Sequence, residues 1–149
     1  MSGAISQDEQ IATRRLWLSR AHARYRDDWS ELLLSSTGLM LQMDVERAFV
    51  AGAWAAVIVL AQAVVEATIR DLVTQDYDEK AASVFQGNKR LERIRALRNE
   101  LVHPKPFGSR SLIWRIAGGG YAENHAALED DAKHAIELML YVIYSQKTA

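Results

Sequence analysis

The apolar residues of this chain recur mainly at helical spacing. Within Lys89–Val102 they occupy every third or fourth position, which places them on one face of an α-helix. They are Leu91, Ile94, Leu97 and Leu101. Pro104 disfavours helical geometry at the residue before it. We therefore predict a helix over Lys89–Val102, capped by Asn88 and ending at His103.

A longer apolar stretch lies upstream, at residues 48–65, and only Gly52 and Gln62 interrupt it. Asp44 is a residue type that favours the start of a helix, so we predict one long helix from Asp44 to about Thr74. Because the stretch is apolar nearly all round, other helices must cover most of it. The pattern predicts the central buried helix of a bundle.

The same stretch is long enough to raise the alternative of a membrane span. Many of its residues are alanine, which contributes little to insertion, and Arg47 and Glu66 close it on both sides. These features favour a buried helix and a protein without a membrane segment. The first 15 residues are largely polar and include four charged side chains, so we also expect no signal peptide.

Weaker helical patterns occur elsewhere. A mostly polar helix is predicted from Ser6 to Tyr25, with Ile11, Leu16 and Trp17 facing inward. Short helices are predicted for residues 28–34 and from residue 78 or 79 to residue 85. Residues 111–116 fit either a short helix or a strand.

The last helix is predicted to start at Asn124 or His125 and to run to about Ser145. Its apolar residues share one face and are Leu128, Ala132, Ala135, Met139 and Val142. Together these patterns predict an all-α fold, an up-and-down bundle of four main helices with short additional ones. With 149 residues in the chain, we predict a single helical domain over residues 1–149.

Composition and charge restrict the classes of function that this chain can have. The chain has no cysteine, which excludes disulfides and thiolate zinc sites and fits the reducing cytoplasm. Its net charge is -1, but residues 86–116 carry eight Lys and Arg against two Glu, a local charge of +6 that leaves −7 for the rest. Such asymmetry steers a polyanion to one face, although a basic segment also fits a solvated helix surface.

The basic segment contains Arg98, Asn99 and His103 at the end of the Lys89–Val102 helix. A guanidinium holds a phosphate through paired hydrogen bonds, and an imidazole moves a proton near neutral pH. On an ideal helix Arg98 and His103 point roughly 140° apart, and Arg98 lies at the edge of the apolar face. Part burial would require an acidic partner or a bound anion, and Glu66 is the candidate partner.

Arg98-Asn99 followed by His103 and Pro104 resembles the signature of the HEPN superfamily, the higher eukaryote and prokaryote nucleotide-binding domains. The family pattern is an Arg, four to six residues and a His, often with a polar residue after the Arg. The alanine-rich helix that ends at residues 65–70 is similar to the long helix that precedes this motif in many such domains. The resemblance covers about residues 44–104 and implies a bundle of four or five helices.

Many HEPN proteins are metal-independent endoribonucleases that dimerise so that two Arg–His pairs face one cleft, and the resemblance implies the same here. His103 would act as general acid or base around attack by the RNA 2′-hydroxyl. Arg98 would stabilise the charge of the transition state, and Asn99 would orient the phosphate or the imidazole. The products would carry 2′,3′-cyclic phosphate and 5′-hydroxyl ends, and no metal or cofactor would be needed.

The basic residues around the motif are expected to guide the RNA backbone. They are Lys89, Arg93, Arg95 and Lys105. One toxin subgroup has a tyrosine two positions after the His that a partner nucleotidyltransferase modifies, whereas this chain has Lys105 there. The resemblance implies a cytoplasmic homodimer that acts on RNA as a toxin or defence effector, with an antitoxin or other defence-system protein as candidate partner. The alternative is a non-catalytic HEPN binding or assembly module.

Other polar residues are predicted to be structural. His125 with Glu129 and His134 with Asp130 are four residues apart on the last helix, but they lack the pattern of a metal site and fit a solvated face. His22 is predicted to be a half-buried packing residue. The motif itself also fits a simpler interpretation, a basic helix with an internal Arg–Glu pair and a histidine that caps a carbonyl.

Overall fold

The computed structural model describes residues 3–26, 36–72, 89–103, 111–113 and 120–144. These residues form six α-helices and no β-strand, which confirms the predicted all-α class. The helices are α1 (Gln7–Tyr25), α2 (Ser36–Val50), α3 (Trp54–Leu72), α4 (Lys89–Val102), α5 (Tyr121–Ala126) and α6 (Glu129–Tyr144). The predicted short helices at residues 28–34 and 78–85 lie outside the described residues.

Helix α1 begins where the sequence predicted, because Ser6 caps it. The Ser6 hydroxyl accepts the Glu9 amide hydrogen at 3.2 Å, and the Glu9 carboxylate accepts that of Ser6 at 2.8 Å. This reciprocal pair satisfies two backbone donors that the helix leaves unpaired. The predicted inward position of Leu16 is wrong, since its side chain is 50% exposed. Buried Leu18 is about 200° away around the helix, so the two residues lie on opposite sides.

The predicted helix from Asp44 to Thr74 is wrong, because the chain breaks between α2 and α3. Gly52 has a φ of 74°, a left-handed conformation that glycine adopts without steric cost. The Gly52 amide donates to the Phe49 carbonyl at 3.0 Å and the Ala53 amide to that of Ala48 at 2.9 Å. This is the Schellman arrangement that ends many helices.

The break is fixed by a contact from α1. The Arg14 guanidinium donates to the Val50 carbonyl at 3.1 Å and lies 5.0 Å from the Trp54 ring centroid. A Cβ atom added to Gly52 would come within 3.0 Å of this guanidinium. Arg14 thus supplies a positive charge at the carboxyl end of α2, where the helix dipole favours it.

Replacing Gly52 with alanine should therefore destabilise the fold. The left-handed backbone alone costs a non-glycine residue about 1–2 kcal/mol, and the new methyl group would also displace Arg14. Urea denaturation of both proteins measures the difference. Gly3→Ala is the matched control, since a Cβ at Gly3 meets nothing within 4 Å. Equal stability of Gly52→Ala and the parent protein would contradict this account.

Helix α3 lies at the centre and packs against α2, α4 and α6. Within Trp54–Thr68 only Ala56 is exposed, which confirms that this apolar segment is covered by other helices. Helix α4 has its predicted bounds and buries Ile94 and Leu97, with Leu91 and Leu101 packed at the edge of the core. No described helix is both long and apolar enough to cross a membrane.

The predicted last helix is divided into α5 and α6 and begins earlier, at Tyr121. The Leu128 amide donates to the His125 carbonyl, only three residues back, at 3.0 Å, and the chain tightens into a turn there. Three acidic residues open α6, where the helix dipole stabilises them. The predicted apolar face is nevertheless confirmed, as all five of its residues are buried.

The described residues form an all-α bundle with five longer helices, within the four to five that the resemblance implies. The patterns predicted four main helices, and the fifth arises because the predicted central helix is two. The described part of residues 111–116, at 111–113, is neither helix nor strand. Helix α4 lies with one face against α3 and α6. Of the motif residues, Asn99 and His103 are exposed, whereas Arg98 is partly buried.

Candidate functional site

The carboxyl end of α4 positions the motif residues. The His103 amide, directly after the last helical residue Val102, donates to the Asn99 carbonyl at 2.7 Å. The His103 side chain is exposed, and within the described part of the chain nothing hydrogen-bonds its imidazole. An imidazole in this position is accessible to a ligand.

Arg98 is held by two neighbours. Its Nη2 lies 3.5 Å from Glu66 Oε2 on α3, and its Nη1 donates to Asn99 Oδ1 at 2.9 Å. The Glu66 partner inferred from the sequence is therefore confirmed. The Arg98 and Glu66 side chains are 28% and 30% exposed. An ion pair this open to solvent contributes about 0.2–1 kcal/mol, so it orients the guanidinium more than it stabilises the fold.

The structure thus brings Arg98, Asn99 and Glu66 together, while no described contact joins them to the His103 imidazole. A guanidinium has five N–H donors. Asn99 and Glu66 each engage one of its terminal nitrogens, so donors remain for an incoming anion. The motif residues on one chain provide an oriented cation beside an exposed imidazole, separated by about a turn and a half of helix.

The basic residues expected to guide RNA differ in their surroundings. Arg93 Nε donates to Asp131 Oδ1 on α6 at 2.8 Å, and the Asp131 side chain is only 5% exposed. This ion pair joins α4 to α6 and occupies part of the Arg93 guanidinium within the chain. Lys89 and Arg95 have exposed side chains, whereas Lys105 lies outside the described residues.

Glu100 is a structural residue that the sequence interpretation missed. Its carboxylate is buried and accepts the Leu112 amide hydrogen at 2.8 Å, as well as the Ser111 hydroxyl. These contacts fasten residues 111–113 to the motif helix. One feature of the sequence could have indicated this structural role. Glu100 is an acidic residue within a basic segment, and it lies next to Leu101 on the apolar face of the helix.

A second polar network joins three helices and contains no motif residue. His22 Nε2 lies 2.6 Å from Glu46 Oε1 and His22 Nδ1 lies 2.8 Å from Tyr144 Oη. These contacts link α1, α2 and α6, and the histidine is partly buried, as predicted. Burial raises the pKa of the Tyr144 phenol above its ordinary value of 10.0; the positive charge of Arg26 lowers it and the negative charge of Glu46 raises it.

The raised pKa of Tyr144 predicts a loss of stability at alkaline pH. Folding favours the neutral phenol, so this contribution is intact below about pH 10 and is lost as pH rises through the folded-state pKa. Tyr144→Phe should flatten the fall in unfolding free energy above about pH 10, measured by urea denaturation. Tyr141→Phe, on the same helix but 53% exposed, is the control. An unchanged alkaline slope in Tyr144→Phe would contradict the assignment.

The described residues contain no group of three or more His, Asp and Glu side chains placed to hold a metal ion. On α6, Glu129 pairs with Lys133 at 3.7 Å in a partly exposed contact. Of the residues predicted to lie on a solvated face, His125 and Asp130 are exposed, whereas Glu129 and His134 are partly buried, so the prediction is confirmed only in part.

We compared the chain with known proteins in three ways. No family model, no curated protein and no solved structure matches it.

Proposed function

We propose that this protein is a metal-independent endoribonuclease of the HEPN type that works as a cytoplasmic homodimer, in the role of a toxin or defence effector. The observation that supports the proposal most is the end of α4. Helix α4 stops at Val102, so that an exposed His103 follows Arg98 and Asn99 at a helix terminus within an all-α bundle. The basic composition of residues 86–116 and the absence of cysteine agree with an RNA substrate and a reducing compartment.

In the proposed reaction His103 accepts the proton of a ribose 2′-hydroxyl, and the 2′-oxygen attacks the adjacent phosphorus. The bond from phosphorus to the 5′-oxygen breaks, and that oxygen takes up a proton from an imidazolium. One product ends in a 2′,3′-cyclic phosphate and the other in a 5′-hydroxyl. A second copy of the chain would supply the second imidazole, so that one acts as base and the other as acid.

Arg98 would stabilise the negative charge that builds on the phosphate oxygens during attack. Its contacts with Asn99 and Glu66 hold the guanidinium in one orientation before RNA arrives. Pre-orientation of this kind removes an ordering cost from the reaction. Solvent-facing Lys89 and Arg95 on α4, together with Arg93 and Lys105, are the candidate contacts for the RNA backbone.

Cleavage of a mixed-sequence RNA in excess EDTA tests the proposal. We expect cleavage without metal, and the new 5′ ends should accept a phosphate from polynucleotide kinase without prior phosphatase treatment. A substrate with a single 2′-deoxy sugar at the cut site should resist cleavage there, because its nucleophile is missing. Cleavage of that deoxy site, or 5′-phosphate products, would rule out the proposed reaction.

The second candidate is a non-catalytic module that binds RNA or holds an antitoxin or other defence-system protein. The observation that favours it is the pairing of Arg98 with Glu66 inside one chain, because a neutralised guanidinium is less available to a phosphate. This candidate predicts RNA binding that weakens steeply with salt, with no product at any protein concentration. Filter binding and product gels on the same samples distinguish the two functions.

A further inference from the structure

A second feature of the molecule, separate from the motif helix, is a groove of about 1090 Å³ between α1 and α2. No residue of α4 lines it. Its floor is apolar and includes Ile11 and Leu18 from α1 with Met43 and Val50 from α2. Met43 is 47% exposed, Ile11 and Val50 are partly exposed and Leu18 is buried, so the floor reaches solvent mainly at Met43.

The apolar surface continues beyond the groove along α2. Leu39 is 47% exposed and Met40 is 62% exposed, about one turn before Met43. Exposed apolar residues that occur singly need no explanation, but a contiguous set beside a groove is typical of an interaction site. Methionine side chains are flexible and polarisable and adapt to an incoming apolar surface.

The dimensions of the groove favour a polypeptide segment over a small molecule. Its lining positions on α1 extend from Gln7 to Arg26, a distance of about 28 Å along a helix axis. Small-molecule sites enclose most of their ligand, whereas several described residues that line this groove, among them Arg15, Met43 and Arg47, are exposed. A long open groove with an apolar floor is the form that accepts an amphipathic helix.

The charges that line the groove favour an acidic occupant. Among the described residues that line it are three arginines, Arg15, Arg26 and Arg47, and one acidic residue, Glu46. The Glu46 carboxylate already lies 2.6 Å from His22. Within the described part of the chain Arg15 and Arg26 make no ion pair, and Arg47 has only an exposed contact of 3.6 Å with Asp44.

We propose that the groove between α1 and α2 is a docking site for an acidic amphipathic helix of a partner protein. Its apolar residues, at helical spacing, would cover the floor formed by Ile11, Leu18, Met43 and Val50. Its carboxylates would face the three arginines, giving charge complementarity and orientation. The proposal is independent of the chemistry at His103. The phosphates of RNA could bind the arginines, but RNA would not bury the apolar floor as an apolar helix face does. We therefore favour a protein helix as the occupant.

Selection from a defined peptide library tests this site on the full chain. The library consists of 19-residue helical peptides with leucine fixed at i, i+3, i+4 and i+7 spacing. Every other position is drawn from Glu, Lys, Gln and Ser. We expect the selected peptides to be enriched in Glu over Lys beside the leucines. Against the double variant Arg15→Glu with Arg47→Glu, the enrichment should reverse toward Lys.

Affinities of a selected acidic peptide provide the quantitative test. Fluorescence anisotropy should show a Kd at least tenfold higher for the double charge-reversal variant and for Met43→Glu. Arg20→Glu is the matched control, because Arg20 is exposed on α1 and does not line the groove, and its Kd should stay within twofold. All of these side chains are exposed, and circular dichroism verifies that each variant is folded.

The proposal is overturned if no peptide is enriched, if Glu and Lys are selected equally, or if the double variant binds the acidic peptide as well as the parent does. It is also overturned if single-stranded RNA, and no peptide, binds in a manner that depends on Arg15 and Arg47. That last result would assign the groove to nucleic acid.

Discussion

RNA cleavage by the His103→Ala variant is expected to fall by a factor of about 10²–10⁴, which is the range for loss of a general acid or base. The His103 imidazole is exposed, and no described group hydrogen-bonds it, so its removal disturbs no packing. A proportional loss in kcat, with little change in KM, would mark a role in proton transfer and not in binding. Initial rates on one RNA in EDTA measure both constants.

His125→Ala is the matched control for this variant. His125 is also exposed and also lies near the end of a helix, α5, but it is outside the motif. Its cleavage rate should equal that of the parent protein. Equal cleavage by His103→Ala and the parent, or no cleavage by either on varied RNAs, would count against the ribonuclease and leave the binding module as the better account.

Replacing Phe49 with alanine is expected to lower the free energy of unfolding by about 3–5 kcal/mol, as for other buried Phe to Ala changes. Phe49 is fully buried on α2. Its ring centroid lies 4.9 Å from that of Trp17 on α1 and 5.4 Å from that of Trp54 on α3. One side chain therefore joins three helices, and the cavity left by its removal would be bordered by all of them. A loss of this size is a large part of the stability of an ordinary domain.

Urea denaturation followed by tryptophan fluorescence measures the effect, because Trp17 and Trp54 border the site. Leu39→Ala on the same helix is the control, as Leu39 is 47% exposed and should cost less than about 0.5 kcal/mol. A loss below about 1 kcal/mol for Phe49→Ala would show that the aromatic cluster does not hold the helices together.

Local patterns in the sequence predicted α4 and its outer limits well. Its apolar residues recur at regular helical spacing, and Pro104 supplies a stop signal that acts on the adjacent residue. The partner of Arg98 was also predictable, because a part-buried guanidinium needs a carboxylate and Glu66 lies at the end of the apolar stretch. Both inferences needed only the nearby sequence and the cost of burying a charge.

The helix break at Gly52 was not predictable from the sequence in this way, because the apolar stretch continues on both sides of the glycine. The glycine was visible, but the Arg14 contact that fixes the junction comes from another helix, 36 residues earlier than Val50. The Arg93–Asp131 and His22–Tyr144 contacts span 38 and 122 residues. Such pairings depend on which helix faces pack against each other. That packing cannot be predicted from the residues near either partner in the sequence.

The short junction between α2 and α3 has a consequence for the order of folding. These two helices pack extensively against each other, yet only residues 51–53 separate them. Closing so short a connection costs little chain entropy, and contacts between near neighbours form fast. We expect the α2–α3 hairpin to form in the transition state, before α1 docks on it. In stopped-flow experiments the backbone cost of Gly52→Ala should then appear as slower refolding. The part of the cost that comes from displacing Arg14 on α1 should appear as faster unfolding.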